Sequence, residues 1–555
     1  MKYYRDISTD QLAANSVLAL RESRHKDALS MTREIISREP EHASAHAVQF
    51  SSLFKSGQLE QARQIGGKAA QLNPESVFIL NNQACLQLEA KQPASAAGLL
   101  KSLVDQFGER GQWLYNLALA QRMVGNYEYS ISVFQRTLDQ QPAHDRAAFQ
   151  LADCLRIVGR HEDAVRAYDY VRLLRSKHAP SHSNFIHQAA ANGCLTRVDL
   201  KQELRLWQER FIPDQNRYNL ADLSGKTSLR IGFLVGVLPN SWLLSIVAPL
   251  INQLAQGDDS IVVYWHDEDY DEGLFNDQVK IVKSAALSDA DFARQGRSDN
   301  IDVIIDVCGM RVGSRQRTLG LQLASKEFGW LAHEGLYATS LVTILDKHLG
   351  SKRFFVMEPA AKTKDVGDKI LLGVGGHRGL SYKVIKTWAG LLLELPEWKL
   401  HLDIVQPNLI KHVSERFEAL GVSKDRLIYD TQLGPKYGSI ILDNFIENDP
   451  VSAANAIARG GILVCIKGEL FPARQSAKLL HQFGRDEWVC SNSARYKQRV
   501  INLIDGSPAE PVTAQEIRDA KLRNLGSFVM NFRDAIFRCI ELDTNKYKRH
   551  KLKQN

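Results

Sequence analysis

Three short stretches of this 555-residue chain carry side chains able to hold an anion or move a proton. The first is Gly375-Gly376-His377-Arg378-Gly379, between an apolar run and a helical pattern. Paired glycines allow close backbone approach to a ligand, and the Arg378 guanidinium can bind two phosphate oxygens at once. A solvated surface arginine is the alternative for Arg378. The second is His333-Glu334, side by side at a strand–loop junction, where they could act as base or acceptor ligand. A surface turn accounts for them equally well. The third spans residues 442–480. Asn448, Asp449 and Pro450 suit a helix start at Val451, whose unpaired N–H groups and dipole would face a diphosphate. A Gly468-Glu469 turn follows the apolar run Ile462–Ile466, and Arg474 comes next. Arg474 reads as pairing with Glu469 or a sheet end, with phosphate contact as the alternative. Asp267 and Asp269 form a D-x-D in an acidic surface loop, and no metal is expected there.

The elements that must position these residues alternate. In the first half of the C-terminal region, strands are predicted over 228–235, 260–265 and 302–306, with a helix over 242–255. In the second half, strands are predicted over 369–374, 400–405, 426–429, 439–442 and 462–466, with helices over 382–395 and 451–458 and a long helix over 513–542. Alternating strands and helices imply a parallel sheet covered on both faces, and therefore two Rossmann-like lobes with a ligand cleft between them.

The N-terminal third repeats. Ser23, Gly57, Lys91, Gly125 and Gly159 are evenly spaced, and a small residue follows each at the same offset: Ala28, Ala62, Ala96, Ser130 and Ala164. Pro40, Pro74 and Pro142 keep the same register, with Gly108 in the remaining slot. The spacing is the tetratricopeptide period of about 34 residues. First helices are predicted near 10–22, 44–56, 78–90, 112–124 and 146–158, and second helices near 25–38, 59–72, 94–106, 127–140 and 161–173. The small turn residue is read as letting the two helices approach closely. Asn82, Asn116 and Gln150 recur with the same period on the inner face. Such amides carry donors and acceptors suited to a peptide backbone, or they satisfy neighbouring turns. From 176 to 226 the register is read as lost, with one helix over 197–211.

The domain reading is therefore α + α/β: a repeat superhelix (1–175), a helical connector (176–227), a first lobe (228–360), a second lobe (361–510), and a terminal helix with a basic tail (511–555). Composition is that of a globular protein, 44% hydrophobic and 24% charged. The net charge of +7 is mild, the tail Lys546–Lys553 reads as a solvated end, and no nucleic-acid motif occurs. Seven scattered cysteines without a CxxC pair read as reduced thiols. No apolar leader or long apolar run is present, so a cytoplasmic protein without membrane insertion is expected.

The segment 442–480 resembles the sugar-nucleotide core of bacterial O-GlcNAc-transferase and SPINDLY-like enzymes, through Leu442, Asp443, Phe445, Gly460, Gly468, Glu469, Phe471, Arg474, Ala477, Leu479 and Leu480. The resemblance implies a glycosyltransferase-B (GT-B) architecture with the acceptor side in the first lobe and the nucleotide-sugar side in the second. It implies an inverting, metal-independent protein glycosyltransferase with a nucleotide-sugar donor, a UDP-sugar first, and no other cofactor. Its partners would be an acceptor polypeptide on the repeats, of the flagellin or adhesin class, and a second copy of the chain in a homodimer. Residue by residue, Ser241 stands where the family carries a histidine, and Met310 replaces a second histidine. His377 or Arg378 stands for a lysine that meets the diphosphate. Pro450, Val451, Ser452 and Ala453 replace threonines, and Asn455 replaces an acid. The donor-binding set carried over is Gly376, His377, Arg378, Ser452, Asn455, Gly468, Glu469 and Arg474, with His333, Glu334 and Ser241 as the catalytic set. Loss of several polar site residues fits a changed donor. It also fits an inactive scaffold that binds a protein partner through its repeats.

Overall fold

The computed structural model describes residues 4, 6–212, 222–236, 243–266, 273–311, 314–330, 342–344, 349, 364–365, 367–375, 380–430, 433–506, 509–519 and 524–554. The chain divides into two compact units, Met1–Val158 and Gly159–Asn555.

The first unit is helical throughout. Its helices are α1 (Thr9–Arg21), α2 (His25–Arg38), α3 (Ala43–Lys55), α4 (Leu59–Leu72), α5 (Val77–Glu89), α6 (Pro93–Phe107), α7 (Gly111–Val124), α8 (Tyr127–Gln140) and α9 (Asp145–Ile157). Each boundary lies within a residue of the repeat-based expectation. Ala28, Ala62, Ala96 and Ser130 are fully buried at the helix crossings. The turn residue has a different cause from the one expected. Ser23, Gly57, Lys91 and Gly125 all have positive φ, between 56° and 90°, and a Cβ on Gly57 or Gly125 would meet nothing within 4 Å. The turn needs a left-handed backbone rather than a small side chain.

The second unit opens with α10 (His161–Leu174), α11 (Ala179–Ala191) and α12 (Arg197–Phe211). The helix over 197–211 is as expected, closed by a Thr196–Asp199 capping box. The loss of register after 176 is overturned. α11 begins at Ala179, one full repeat period after α9 begins at Asp145. Gly193, one period after Gly159, again has positive φ. The repeat geometry persists there without its consensus side chains.

The first lobe contains β1 (Arg230–Val235), β2 (Ser260–Trp265), β3 (Lys280–Lys283), β4 (Val303–Asp306), β5 (Lys326–Gly329) and β6 (Val342–Ile344), paired in parallel in the order β3-β2-β1-β4-β5-β6. β7 (Lys364–Asp365) precedes the second lobe, whose strands are β8 (Ile370–Val374), β9 (Lys399–Leu402), β10 (Leu427–Tyr429), β11 (Leu433–Gly434), β12 (Ile440–Asp443), β13 (Ile462–Ile466) and β14 (Val489–Cys490). The second sheet runs β10-β9-β8-β12-β13-β14, the same winding, while β7 pairs with β11. Both sheets reverse direction beside their first strand, between β1 and β4 and between β8 and β12. In such sheets the ligand crevice lies beyond the strand C-termini at that switch.

The helices cover the sheets. They are α13 (Ala248–Leu254), α14 (Asp289–Ser298), α15 (Gln316–Gly320), α16 (Tyr382–Glu394), α17 (Pro407–Glu418), α18 (Pro450–Ala458), α19 (Gln475–Gln482), α20 (Ser493–Ile504), α21 (Ala514–Asp519) and α22 (Leu525–Gln554). The helix expected over 242–255 enters through a π turn, Leu243–Val247, because Pro249 supplies no N–H to the first turn of α13. The helix expected over 513–542 is two helices; Asn524 starts the second by accepting from the Ser527 amide at 2.8 Å. That second helix, α22, returns to the first lobe. Phe532 stacks edge-on against Trp330, with ring centres 4.7 Å apart, and Arg533 reaches Asp259 at 2.6 Å.

Candidate functional site

The two switch points are built from loops that tie down their own polar groups. In the first lobe, β4 ends in fully buried Asp306, which accepts from the amides of Cys308 at 2.8 Å and Gly309 at 3.1 Å and from Gln316 Nε2 at 3.0 Å. Burial nevertheless pushes the Asp306 carboxyl up to about 7. The chain turns at Gly309, with φ of +57°, and places Met310 and Arg311 in the interior. The Cys308 thiol accepts from the Gly236 amide at 3.0 Å, joining the ends of β1 and β4.

In the second lobe, β12 ends in buried Asp443, followed by the buried loop Asn444 to Asn448. Asn444 Oδ1 accepts from the Ile446 amide at 3.1 Å and the Glu447 amide at 3.3 Å. Asn448 donates to Asp443 at 2.8 Å and accepts from the Ser476 amide at 3.2 Å. Burial pushes Asp443 well above the carboxylate range. Gly375, with φ of +106°, lies against Asn444, and a Cβ there would come within 3.2 Å of the Asn444 Cβ.

The α18 N-terminus carries a negative charge of its own. Asp449 accepts from the amides of Val451 at 3.1 Å and Ser452 at 3.2 Å, and from the Ser452 hydroxyl at 2.7 Å. The Asn-Asp-Pro start is thus a strong cap, and the amides expected to face a diphosphate already meet a carboxylate. Half-buried Asn455 lies further along the same helix. Gly468 is required by space, since a Cβ would lie 2.4 Å from the Ala473 Cβ. Arg474 donates from Nε to the Gly468 carbonyl at 2.9 Å, two residues past the end of β13, while Glu469 is exposed.

Ser241, His333, Glu334, Gly376, His377, Arg378, Asp267 and Asp269 lie outside the described residues. No group of His, Cys, Asp or Glu among the described residues is placed to hold a metal ion. Residues that the sequence did not single out also lie at these strand ends: Asp306, Arg311, Asn444 and Glu447. Only their position at strand ends could have signalled them.

Among the repeats, Asn82 Nδ2 donates to Ser51 Oγ at 3.1 Å, and Asn116 Nδ2 donates to Asn81 Oδ1 at 2.8 Å. The Gln150 carbonyl is buried without a hydrogen-bond partner. Asn184, one period further on in α11, extends the spacing and is also buried. No described helix is long and apolar enough to cross a membrane.

A tetratricopeptide-repeat family model matches residues 124–176. No curated protein sequence matches the chain. Among solved structures, a variant of the Thermobaculum terrenum O-GlcNAc transferase superposes with a TM-score of 0.68 at 17% identity, covering 84% of this chain and 97% of that one. Two repeat proteins match shorter spans. YrrB, a TPR protein with an unusual peptide-binding site, has a TM-score of 0.29 at 18% identity over 32% of this chain and 90% of its own. Pseudomonas aeruginosa pilF has a TM-score of 0.33 at 20% identity over 38% and 95%. At these identities the likeness is one of fold. The chain thus carries a tetratricopeptide-type helical array that continues into two parallel α/β lobes, the fold of a bacterial O-GlcNAc transferase.

Proposed function

We propose that this protein is a glycosyltransferase that moves a sugar from a nucleotide-sugar donor, a UDP-sugar first, to a polypeptide recruited by its repeats. The observation that carries this is the pair of identically wound sheets within a fold shared across 84% of the chain with an O-GlcNAc transferase. The acceptor hydroxyl or amide would attack the anomeric carbon with inversion, and His333, Glu334 and Ser241 are the candidates for guiding its proton. Arg378, His377 and Gly376 would meet the diphosphate. Asn82, Asn116 and Gln150 would grip the polypeptide through their side-chain amides.

One observation favours a second reading, a scaffold that binds a protein partner but no donor: the Asp449 carboxylate on the α18 N-terminus repels a diphosphate at that place. Thermal unfolding against UDP, GDP, CMP and TDP and their sugars decides between the two. A ligand at about 100 times its Kd adds roughly 2.7 kcal/mol, so a base-specific rise is expected for a transferase. A flat response from folded protein would reject the transferase and leave the scaffold.

A further inference from the structure

Among the described residues of the first unit, the partly buried arginines are Arg38, Arg122, Arg136 and Arg156. Arg38 pairs with Glu34 at 2.9 Å, Arg136 pairs with Glu109, and Arg156 pairs with Asp153 at 3.7 Å. Arg122 makes no side-chain hydrogen bond or ion pair with any described residue, and its Nε is buried without a partner. A fully exposed arginine gains little from a counter-ion. Partial burial without one is costly.

The repeats show where the carboxylate is missing. Arg122 on α7 and Arg156 on α9 stand one repeat period apart, at the same place in the first helix of their pairs. Asp153, one turn before Arg156, serves it from within α9. The equivalent place before Arg122 is Leu119, which has no charge to offer. Burial pushes the Cys154 thiol up to about 11, and the charges of Arg122 and Arg156 both oppose this. The two guanidiniums therefore lie around one residue of α9. The first helices of the pairs line the inner face of such an array. The fold thus sets a partly buried cation there and leaves its counter-ion to come from outside.

We infer that Arg122 is an anchor for an acidic side chain of the polypeptide that the repeats bind, so that the partner carries an Asp or Glu where it crosses α7. The inference rests on the polypeptide-binding reading common to both functions proposed above. A planar guanidinium takes a carboxylate through two parallel hydrogen bonds. Side-chain amides can hold a backbone whatever its sequence. Arg122 adds a choice among sequences, because a neutral or basic residue at that place leaves the cation unpaired.

The test is selection from a random peptide library on the full-length wild type, Arg122→Gln and Arg122→Glu. The peptides are displayed with their C-termini fused, so that only side chains carry carboxylates. Wild-type peptides should share an acidic residue at one position. Arg122→Gln should lose that preference, and Arg122→Glu should select Lys or Arg there instead. A wild-type peptide should bind Arg122→Gln about tenfold more weakly, and changing its acid to the amide should then cost nothing more. Arg122→Gln should melt no lower than the wild type, since the fold makes no use of the charge. A clearly lower Tm would make Arg122 a structural group and overturn the inference. Wild-type peptides with no acidic position, or an acidic position that Arg122→Gln retains, would overturn it while leaving polypeptide binding intact. Folded wild type that enriches no peptide would overturn both.

Discussion

At the scale of single residues, the repeat turn separates two causes that a sequence cannot. Gly57 and Lys91 occupy the same place in successive repeats, with φ of +76° and +56°. A left-handed backbone costs a non-glycine residue roughly 1–2 kcal/mol. Gly57→Ala should therefore destabilise the protein by about 1 kcal/mol despite the open space around it, whereas Lys91→Gly should be neutral or gain up to about 1 kcal/mol. Denaturant midpoints would check both, and an unaffected Gly57→Ala would refute the backbone explanation. Asp306 yields a pH prediction. Its folded-state carboxyl is raised to about 7 by burial, above the roughly 3.9 of an unfolded chain. The folded state therefore binds the proton more tightly, and this stability, complete below about 4, is lost as pH rises toward 7. Buried Glu327 and Asp443, also raised, act in the same direction. Stability measured from pH 4 to 7 should fall in the wild type and fall less steeply in Asp306→Asn. Identical slopes would show that Asp306 is ionised throughout.

At the scale of elements, α16 is capped from outside its own sequence. Ser381 stands at its N-cap without making a side-chain cap bond. Instead Glu162 of α10 accepts from the Tyr382 amide at 2.6 Å and meets Arg416 at 3.3 Å, and Arg416 donates to the Leu380 carbonyl at 3.1 Å. A helix of the repeat series thereby fixes the start of a helix of the second lobe. Glu162 is about a third exposed, so its loss is discounted for solvent. Glu162→Ala should cost about 1–2 kcal/mol and speed hydrogen exchange at the Tyr382 amide. Unchanged protection of that amide would show that water replaces the carboxylate without penalty.

At the scale of the whole chain, α22 closes the second unit by leaving the lobe it follows and packing on the other. Phe532 is fully buried against Trp330. Phe532→Ala should cost about 3–5 kcal/mol through lost burial and the cavity left behind. If α22 holds the two lobes in one cooperative unit, the variant should unfold earlier by both Trp fluorescence and circular dichroism. A loss below about 1 kcal/mol, as at an ordinary surface position, would place Phe532 outside the core.

The repeat helices and the longer central strands were legible in the residues, because each rests on local order, whereas the short strands β3, β5, β6 and β14 were not expected. A constant period repeats the same helix pair, and a run such as Ile462–Ile466 marks a buried strand whatever lies beside it. The repeat beyond Ser176 was hidden because its consensus side chains are gone while its backbone is kept. Only the tertiary structure decided the rest. That Arg311 meets Glu447 across 136 residues of chain, and that Glu162 starts a helix 220 residues away, follow from which elements are brought together. Such meetings leave no period in a sequence: each is fixed by how two distant surfaces bury one another, and a lone charged side chain looks the same in solvent or at a strand end.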